Sequence, residues 1–208
     1  MKISYAICVC TEYREIDTLL TFLEEVKDAE DEIVILVDNT KASKELTMVL
    51  AHYTGLRIFS RAFANDFSHH KNYLNSKCTG EYIFNIDADE IPTEHFIKNL
   101  KETIAKDRAD LYFVPRINIC LGQTDAFLKR HSFSTNEIGW VNWPDHQGRV
   151  YRNHKDIYWT SEVHETIGGP GCKNKNGYDP VPRNALLHVK TVKVQDRQNE
   201  LYDTIIKS

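Results

Sequence analysis

The chain has 208 residues, with 26 Lys and Arg against 30 Asp and Glu for a net charge of −4, a length that suits one compact domain or a domain with an appendage. A 41% apolar fraction supports a sizeable core, and the mixed 27% charged fraction argues against disorder. A pI near 6.1 argues against a general nucleic-acid binder, and no apolar run approaches the roughly 18 residues of a membrane span.

Ile3 to Val9 is a nearly continuous apolar run, which predicts a strand covered on both faces. Ile16, Leu19, Leu20, Leu23 and Val26 then recur at helical spacing. Residues 33–37 form a second buried strand ending at Asp38, Leu46, Val49 and Leu50 mark a short helix, and 56–59 read as a third strand. Residues 65–77 predict a helix capped by Asp66 or Ser68, with Tyr73 and Leu74 inward. The fourth strand, 82–86, runs straight into Asp87-Ala88-Asp89-Glu90. After Pro92 a helix capped by Thr93 buries Phe96, Ile97, Leu100 and Ile104, and 111–114 return as a fifth strand. Strands alternating with helices at this spacing imply an α/β domain with a mostly parallel central sheet flanked by helices.

Beyond Pro115 the pattern changes to short aromatic-rich pieces around Trp140, Trp143, Tyr151, Tyr158 and Trp159. Residues 168–182 hold four Gly and three Pro among polar residues, the composition of a mobile loop, and 195–206 read as a closing helix. The five cysteines are scattered and never form a CxxC pair, so neither a disulfide framework nor a zinc-thiolate site is indicated. With no signal-peptide pattern at the N-terminus, a soluble chain in the cytoplasm is expected, the host cytoplasm if the chain is viral. We expect one domain over 1–208, cut from a longer protein if further domains follow.

The first glycine is Gly55, so the turn after strand one, Cys10-Thr11-Glu12-Tyr13-Arg14, cannot form a glycine-rich phosphate cradle. A metal held by carboxylates is the natural substitute. Ligands of an open parallel sheet bind beyond the carboxyl ends of its strands, where Asp38, Asp87 and Asp89 all fall. Two aspartates at i and i+2 offer hard oxygen ligands for Mn²⁺ or Mg²⁺. The plainer reading of Asp87-Ala88-Asp89-Glu90 is a solvated turn before the next helix.

These residues carry a resemblance. Cys10-Thr11-Glu12, Val37-Asp38-Asn39, the segment from Phe67 to Asn72, and Gly80 to Glu90 occur in the order seen in family 2 glycosyltransferases of GT-A fold, nucleotide-sugar enzymes with a DXD motif after a buried strand. The later half resembles a subgroup with the series Trp143-Pro144-Asp145, Gln147-Gly148-Arg149 and Val163-His164-Glu165. The resemblance implies a nucleotide-sugar-binding half over 1–115 and an acceptor-binding half over 116–208. It implies that Thr11, Glu12 and Asp38 hold the nucleobase and ribose, that Lys71 and Asp87 lie near the nucleotide, and that Asp89 ligates the metal. His188 fits the late histidine ligand of such enzymes, or else is a strand-end histidine bonded to backbone.

The activity implied is metal-dependent, inverting transfer of a sugar from a donor such as a UDP-sugar to a glycan or glycoprotein acceptor. Inversion needs a base for the acceptor hydroxyl. The usual Glu-Asp motif is lacking, so Glu165 is the candidate and Asp145 the second, with His164 steadying Glu165 or the diphosphate. The alternative for this segment is an exposed polar edge. Trp140, Trp143 and Trp159 offer faces to a sugar ring or else belong to the core. One of Arg149 and Arg152 points at phosphate or both are solvated. The 168–182 loop is a lid over the donor or a plain connector. Two other classes stay open: a non-catalytic glycan-binding module, and a phosphatase of the haloacid dehalogenase type, whose DxDx[T/V] motif Asp87-Ala88-Asp89-Glu90-Ile91 nearly matches.

Overall fold

Strand β1 (Ile3–Val9) is buried on both faces because it lies inside a seven-stranded sheet, between β2 (Glu32–Asp38) and β4 (Tyr82–Asp87). The computed structural model describes residues 1–207; Ser208, the last residue of the expected domain, lies outside the described residues. The sheet also contains β3 (Arg57–Arg61), β6 (Leu111–Val114), β8 (Gln147–Arg152) and β11 (Lys175–Gly177), in the order β11-β6-β8-β4-β1-β2-β3. Of these seven, β8 alone runs antiparallel to its neighbours β4 and β6.

Helices α1 (Tyr13–Val26), α2 (Lys44–Leu50), α3 (Phe67–Asn75) and α4 (Glu94–Asp107) connect the early strands. Their boundaries have local causes. Asp66 caps α3 by accepting from the His69 amide at 2.8 Å, and Thr93 caps α4 by accepting from the Phe96 amide at 3.2 Å. Leu19, Leu20 and Leu23 of α1 and Phe96, Leu100 and Ile104 of α4 are buried with β1 and β4 in the larger core cluster. Gly80 is required where the chain enters β4: a Cβ there would sit 2.7 Å from the Ser4 amide nitrogen.

A smaller sheet has the order β5-β12-β7, built from β5 (Glu90–Pro92), β12 (Leu186–Thr191) and β7 (Arg116–Leu121). Helix α5 (Asp125–Arg130) follows β7, the pair β9 (Tyr158–Thr160) and β10 (Thr166–Gly168) packs on α3, and α6 (Val192–Ile206) follows β12. Sequence periodicity missed β7 and β12 because neither is a continuous apolar run; β12 alternates buried and exposed positions. Residues 168–182 are more ordered than a mobile loop. Within them β11 adds an edge strand to β6, and the Tyr178 ring packs 4.8 Å from Phe96. Backbone pairing, which Lys-Asn-Gly does not announce, decides that segment. Among the described residues, no helix is long and apolar enough to cross a membrane.

The amino edge of the large sheet is gathered by one carboxylate. Glu32 accepts from Lys2 at 2.8 Å, Ser4 at 2.6 Å, Arg57 at 2.9 Å and the Thr79 amide at 2.6 Å, so β1, β2, β3 and the entry to β4 share it. Burial pushes this carboxyl up, but the hydrogen bonds from Lys2, Ser4 and Thr79 outweigh it and bring it from 4.5 to about 2. A depressed folded-state pKa means stability fully present above pH 4.5 and lost as pH falls towards 2. Glu32→Gln should therefore lose about 2 kcal/mol at pH 7, allowing for solvent screening. Denaturant titrations should show the gap to wild type closing between pH 4.5 and 2; a gap independent of pH would contradict this assignment.

Candidate active site

The register of the parallel strands fixes the site. Cys8 of β1 lies opposite Asp87 of β4 and Leu36 of β2, so Asp87, the turn at Cys10–Glu12 and Asp38 share one carboxyl edge. Two strand spacings put Asp38 about 10 Å from Asp87. In the turn, Glu12 accepts from the Cys10 and Thr11 amides, both at 2.8 Å, and leaves Thr11 exposed. Asp38 is buried, with one oxygen accepting from the Thr40 amide (3.0 Å), the Thr40 hydroxyl (2.7 Å) and the Phe63 amide (3.1 Å). Burial raises its carboxyl, and these bonds more than reverse the effect.

From Asp87 an alternating chain of charges crosses the floor of the site. Lys71 Nζ lies 2.6 Å from Glu165 and 3.4 Å from Asp87. Arg149 Nη2 donates to Asp87 Oδ2 at 2.5 Å and to Glu90 Oε1 at 2.6 Å. Arg116 donates to Glu90 Oε1 at 2.9 Å and to Asp145 Oδ2 at 2.7 Å. Glu90 is 0% exposed and Arg149 3%, so these two charges depend on their partners. Burial acts to raise Asp87, but the charges of Arg149, Lys71 and Arg116 hold it well below the usual carboxylate range. Asp145 is lowered in the same way, against its burial, by Arg116, Asn118 and Gln147.

Asp89 stands on the other side of Asp87. Its Oδ2 lies 3.4 Å from His188 Nε2 and 3.4 Å from Lys190 Nζ. Burial raises Asp89, and the contact with His188 and the charge of Lys190 outweigh it, leaving a pKa of about 2. His188 Nδ1 lies 2.7 Å from Asn118 Oδ1, and the Asn118 amide nitrogen donates to Asp145 Oδ2 at 2.7 Å. That second bond fixes the amide orientation, so Nδ1 donates to Asn118 and Nε2 faces Asp89. A carboxylate oxygen and an imidazole nitrogen facing each other at 3.4 Å fit the donor set of a divalent cation. Asp87 fits less well as a direct ligand, because Lys71 and Arg149 already engage its two oxygens. Among the described residues, no group of three or more His, Cys, Asp or Glu side chains is gathered as a metal site.

These groups border a cavity of about 730 Å³ lined by Lys71, Asp87, Asp145, His164, Glu165 and His188, together with Arg116, Arg149 and residues of α6. The turn joining β9 to β10 delivers His164 and Glu165. It is tied to α3 by the Phe67 amide bonding to the Glu162 carbonyl at 2.9 Å, and His164 takes a left-handed φ of 52°. Thr11, Glu12, Asp38 and Asp89 do not line this cavity. Trp140 and Trp143 pair edge to face at 5.0 Å outside it, and the face of buried Trp159 is taken by the Lys71 ammonium at 4.4 Å, so none of the three offers a sugar platform there. His69 bonds to Arg61 at the surface, and His70 is buried against the Phe63 ring.

Sequence reasoning missed Glu90, Arg116, Asn118 and Lys190, and left Arg149 open between phosphate and solvent. One signal was available: positions 149 and 152 lie on opposite faces of a strand, and Val150 and Tyr151 announce burial. Arg149 turned inward to the carboxylates, whereas Arg152 bonds to Asp110 at 3.1 Å.

An α/β sheet with carboxylates and basic groups gathered at its carboxyl edge, beside a polar cavity, has its candidate site where open parallel sheets take their ligands. The profile of Glycosyl transferase family 2 matches residues 5–186, and the chain belongs to that family. Its fold is the GT-A fold of such enzymes. Staphylococcus aureus TarS superposes with a TM-score of 0.63 at 17% identity, covering 99% of this chain and 39% of that one. TarS 1–349 in complex with UDP-GlcNAc gives 0.61 at 15% identity, over 91% and 59% of the two chains, and with UDP 0.64 at 14%, over 99% and 65%. A TPR repeat-containing protein of Synechococcus elongatus is 25% identical over 153 residues, 74% of this chain and 33% of that protein. The chain thus spans about a third of that curated relative and from 39% to 65% of these TarS chains.

Removing Arg149 leaves buried Glu90 to the charge of Arg116 and half-buried Asp87 to that of Lys71. Arg149→Leu should cost about 3–5 kcal/mol in chemical denaturation, and Arg149→Lys should recover only part of it, since an ammonium lacks the guanidinium fork. A loss below about 1 kcal/mol for Arg149→Leu would show that the ion chain adds little to the backbone pairing of β8 with β4.

Proposed function

We propose that the chain is an inverting, divalent-metal-dependent glycosyltransferase that moves a sugar from a UDP-sugar to a glycan or glycoprotein acceptor. The observation that carries this reading is the meeting of Lys71, Asp87, Glu165 and His188 in one cavity at the carboxyl end of the sheet. UDP and UDP-GlcNAc in the TarS structures support a uridine donor. In this reading residues 1–115 bind the donor and 116–208 the acceptor, although Arg149 and His188 of the later half also serve the donor side. The cytoplasm, the host's for a viral chain, is the proposed location. A narrower kinship, with the N-terminal glycosyltransferase domain of a chlorovirus capsid-glycosylating enzyme, is part of the proposal.

Thr11, Glu12 and Asp38 flank the nucleobase and ribose, with Lys71, Asp87 and His164 towards the nucleotide. Asp89 and His188 would hold Mn²⁺ or Mg²⁺, with Asp87 nearby. The cation supplies neutralisation of charge on the leaving diphosphate. Glu165 takes the acceptor hydroxyl proton as the acceptor oxygen bonds to the sugar anomeric carbon; the bond from that carbon to the diphosphate breaks, and UDP leaves with the electron pair. Asp145 is the weaker candidate base, because Arg116, Asn118 and Gln147 engage both its oxygens.

Calorimetry with UDP, GDP and ADP should show binding of UDP that strengthens with Mn²⁺ and is lost in Asp89→Ala; no binding of any nucleotide would favour the glycan-binding reading. Glu165→Gln should keep UDP affinity while transfer falls about 10²–10⁴-fold. Transfer at the wild-type rate would remove Glu165 as the base.

A further inference from the structure

We propose that Lys190 is a built-in counter-cation: its ammonium holds the Asp89 carboxylate while the donor site is empty and is expelled when a divalent cation binds, releasing its second partner, Gln198 of α6. The inference rests on the reading of Asp89 and His188 as cation ligands, and it concerns how occupancy of that site is regulated.

The alternation of β12 puts Leu186, His188 and Lys190 on one face, with Leu187 and Val189 on the other, exposed. His188 and Lys190 thereby reach the same atom, Asp89 Oδ2, each at 3.4 Å. A divalent cation on that oxygen would sit within a few ångströms of the ammonium. Repulsion at that separation is worth about tenfold or more in affinity, so the two cations compete. Lys71, Arg116 and Arg149 are held by other carboxylates, and Lys175 is exposed at the rim of the cavity on β11. Lys190 is the cation of the site whose carboxylate is also a candidate metal ligand.

Its other contact gives the displacement a consequence. Lys190 Nζ donates to Gln198 Oε1 at 2.7 Å, and Gln198 Nε2 donates to the Tyr202 hydroxyl at 2.5 Å. The Tyr202 ring meets His164 edge to face at 5.1 Å and Phe67 at 5.8 Å. One line of contacts therefore runs from Asp89 through α6 to the turn bearing Glu165. Expulsion of the ammonium frees α6 at Gln198, and the freed Lys190 is within the cavity to meet the donor's phosphate charge.

The test measures Mn²⁺ affinity from the paramagnetic resonance of free Mn²⁺, with and without UDP, for wild type, Lys190→Met, Lys190→Arg and Asp89→Asn. Lys190→Met should bind Mn²⁺ about tenfold tighter than wild type, Lys190→Arg should stay near wild type, and Asp89→Asn should bind at least tenfold more weakly. Hydrogen exchange of the 192–206 amides in wild type should rise when Mn²⁺ is added. If Asp89→Asn weakens binding while Lys190→Met leaves it unchanged, the counter-cation is overturned and the cation ligands stand. If Asp89→Asn binds as well as wild type, the ligand reading falls and takes the inference with it. Should Lys190→Met fail to fold, exchange in wild type decides: no change in α6 on adding Mn²⁺ overturns the proposal.

Discussion

The Arg149 guanidinium is the joint on which the carboxyl edge of the sheet depends. It projects from β8, the strand that runs against its neighbours, and binds Asp87 at the end of β4 and Glu90 at the start of β5. A buried arginine with two carboxylates is expensive to desolvate and gains only if its geometry is well satisfied. The cluster is satisfied by extension: Arg116 takes the same Glu90 oxygen and passes on to Asp145, while Lys71 shares Asp87 with Glu165. The cluster sets the shape of the site as well as its charge. It fixes where β7, β8 and the β9–β10 turn stand relative to β4, and it determines which carboxylates remain for other work.

Two carboxylates keep that freedom to different degrees. Asp87 is consumed by its cations, whereas Asp89 looks across to His188 and Lys190 on β12. The i, i+2 spacing of Asp87 and Asp89 matters because the chain turns between β4 and β5, sending one side chain to the large-sheet cluster and the other to the small sheet. His188 is aimed by Asn118, which is in turn held by Asp145, so the ion chain reaches the candidate metal ligands through an amide. A change at Arg116 or Asp145 would therefore be felt at His188 without touching it.

Most of the first half of the fold was legible because its signals are local. Apolar runs marked β1, β2 and β4, and Asp66 and Thr93 capped helices where their side chains allow. Asp38, Asp87 and Asp89 were legible from strand ends, since ligands of parallel sheets gather there. What was not legible depends on pairing between distant segments. β11 is strand by virtue of β6, and Glu90 reads as one more acidic residue of a solvated turn until Arg149 and Arg116, 59 and 26 positions away, arrive beside it. Lys190 lies two residues past His188, yet only the alternation of β12, itself set by its neighbours β5 and β7, turns both to Asp89. The tryptophans stood open between a sugar platform and the core, and composition could not decide: Trp159 is buried under Lys71, while Trp140 and Trp143 pair outside the cavity lining.

The central claim is that donor chemistry takes place beside Asp89 and His188, with the nucleoside along the carboxyl edge towards Asp38. A crystal structure of the protein with UDP and Mn²⁺ tests it most directly. Anomalous density for manganese is expected within coordinating distance of Asp89 Oδ2 and His188 Nε2, with Lys190 withdrawn from that oxygen and the uridine against Glu12 and Asp38. Manganese bound elsewhere, or a uridine lodged away from the ends of β1 and β2, would contradict it.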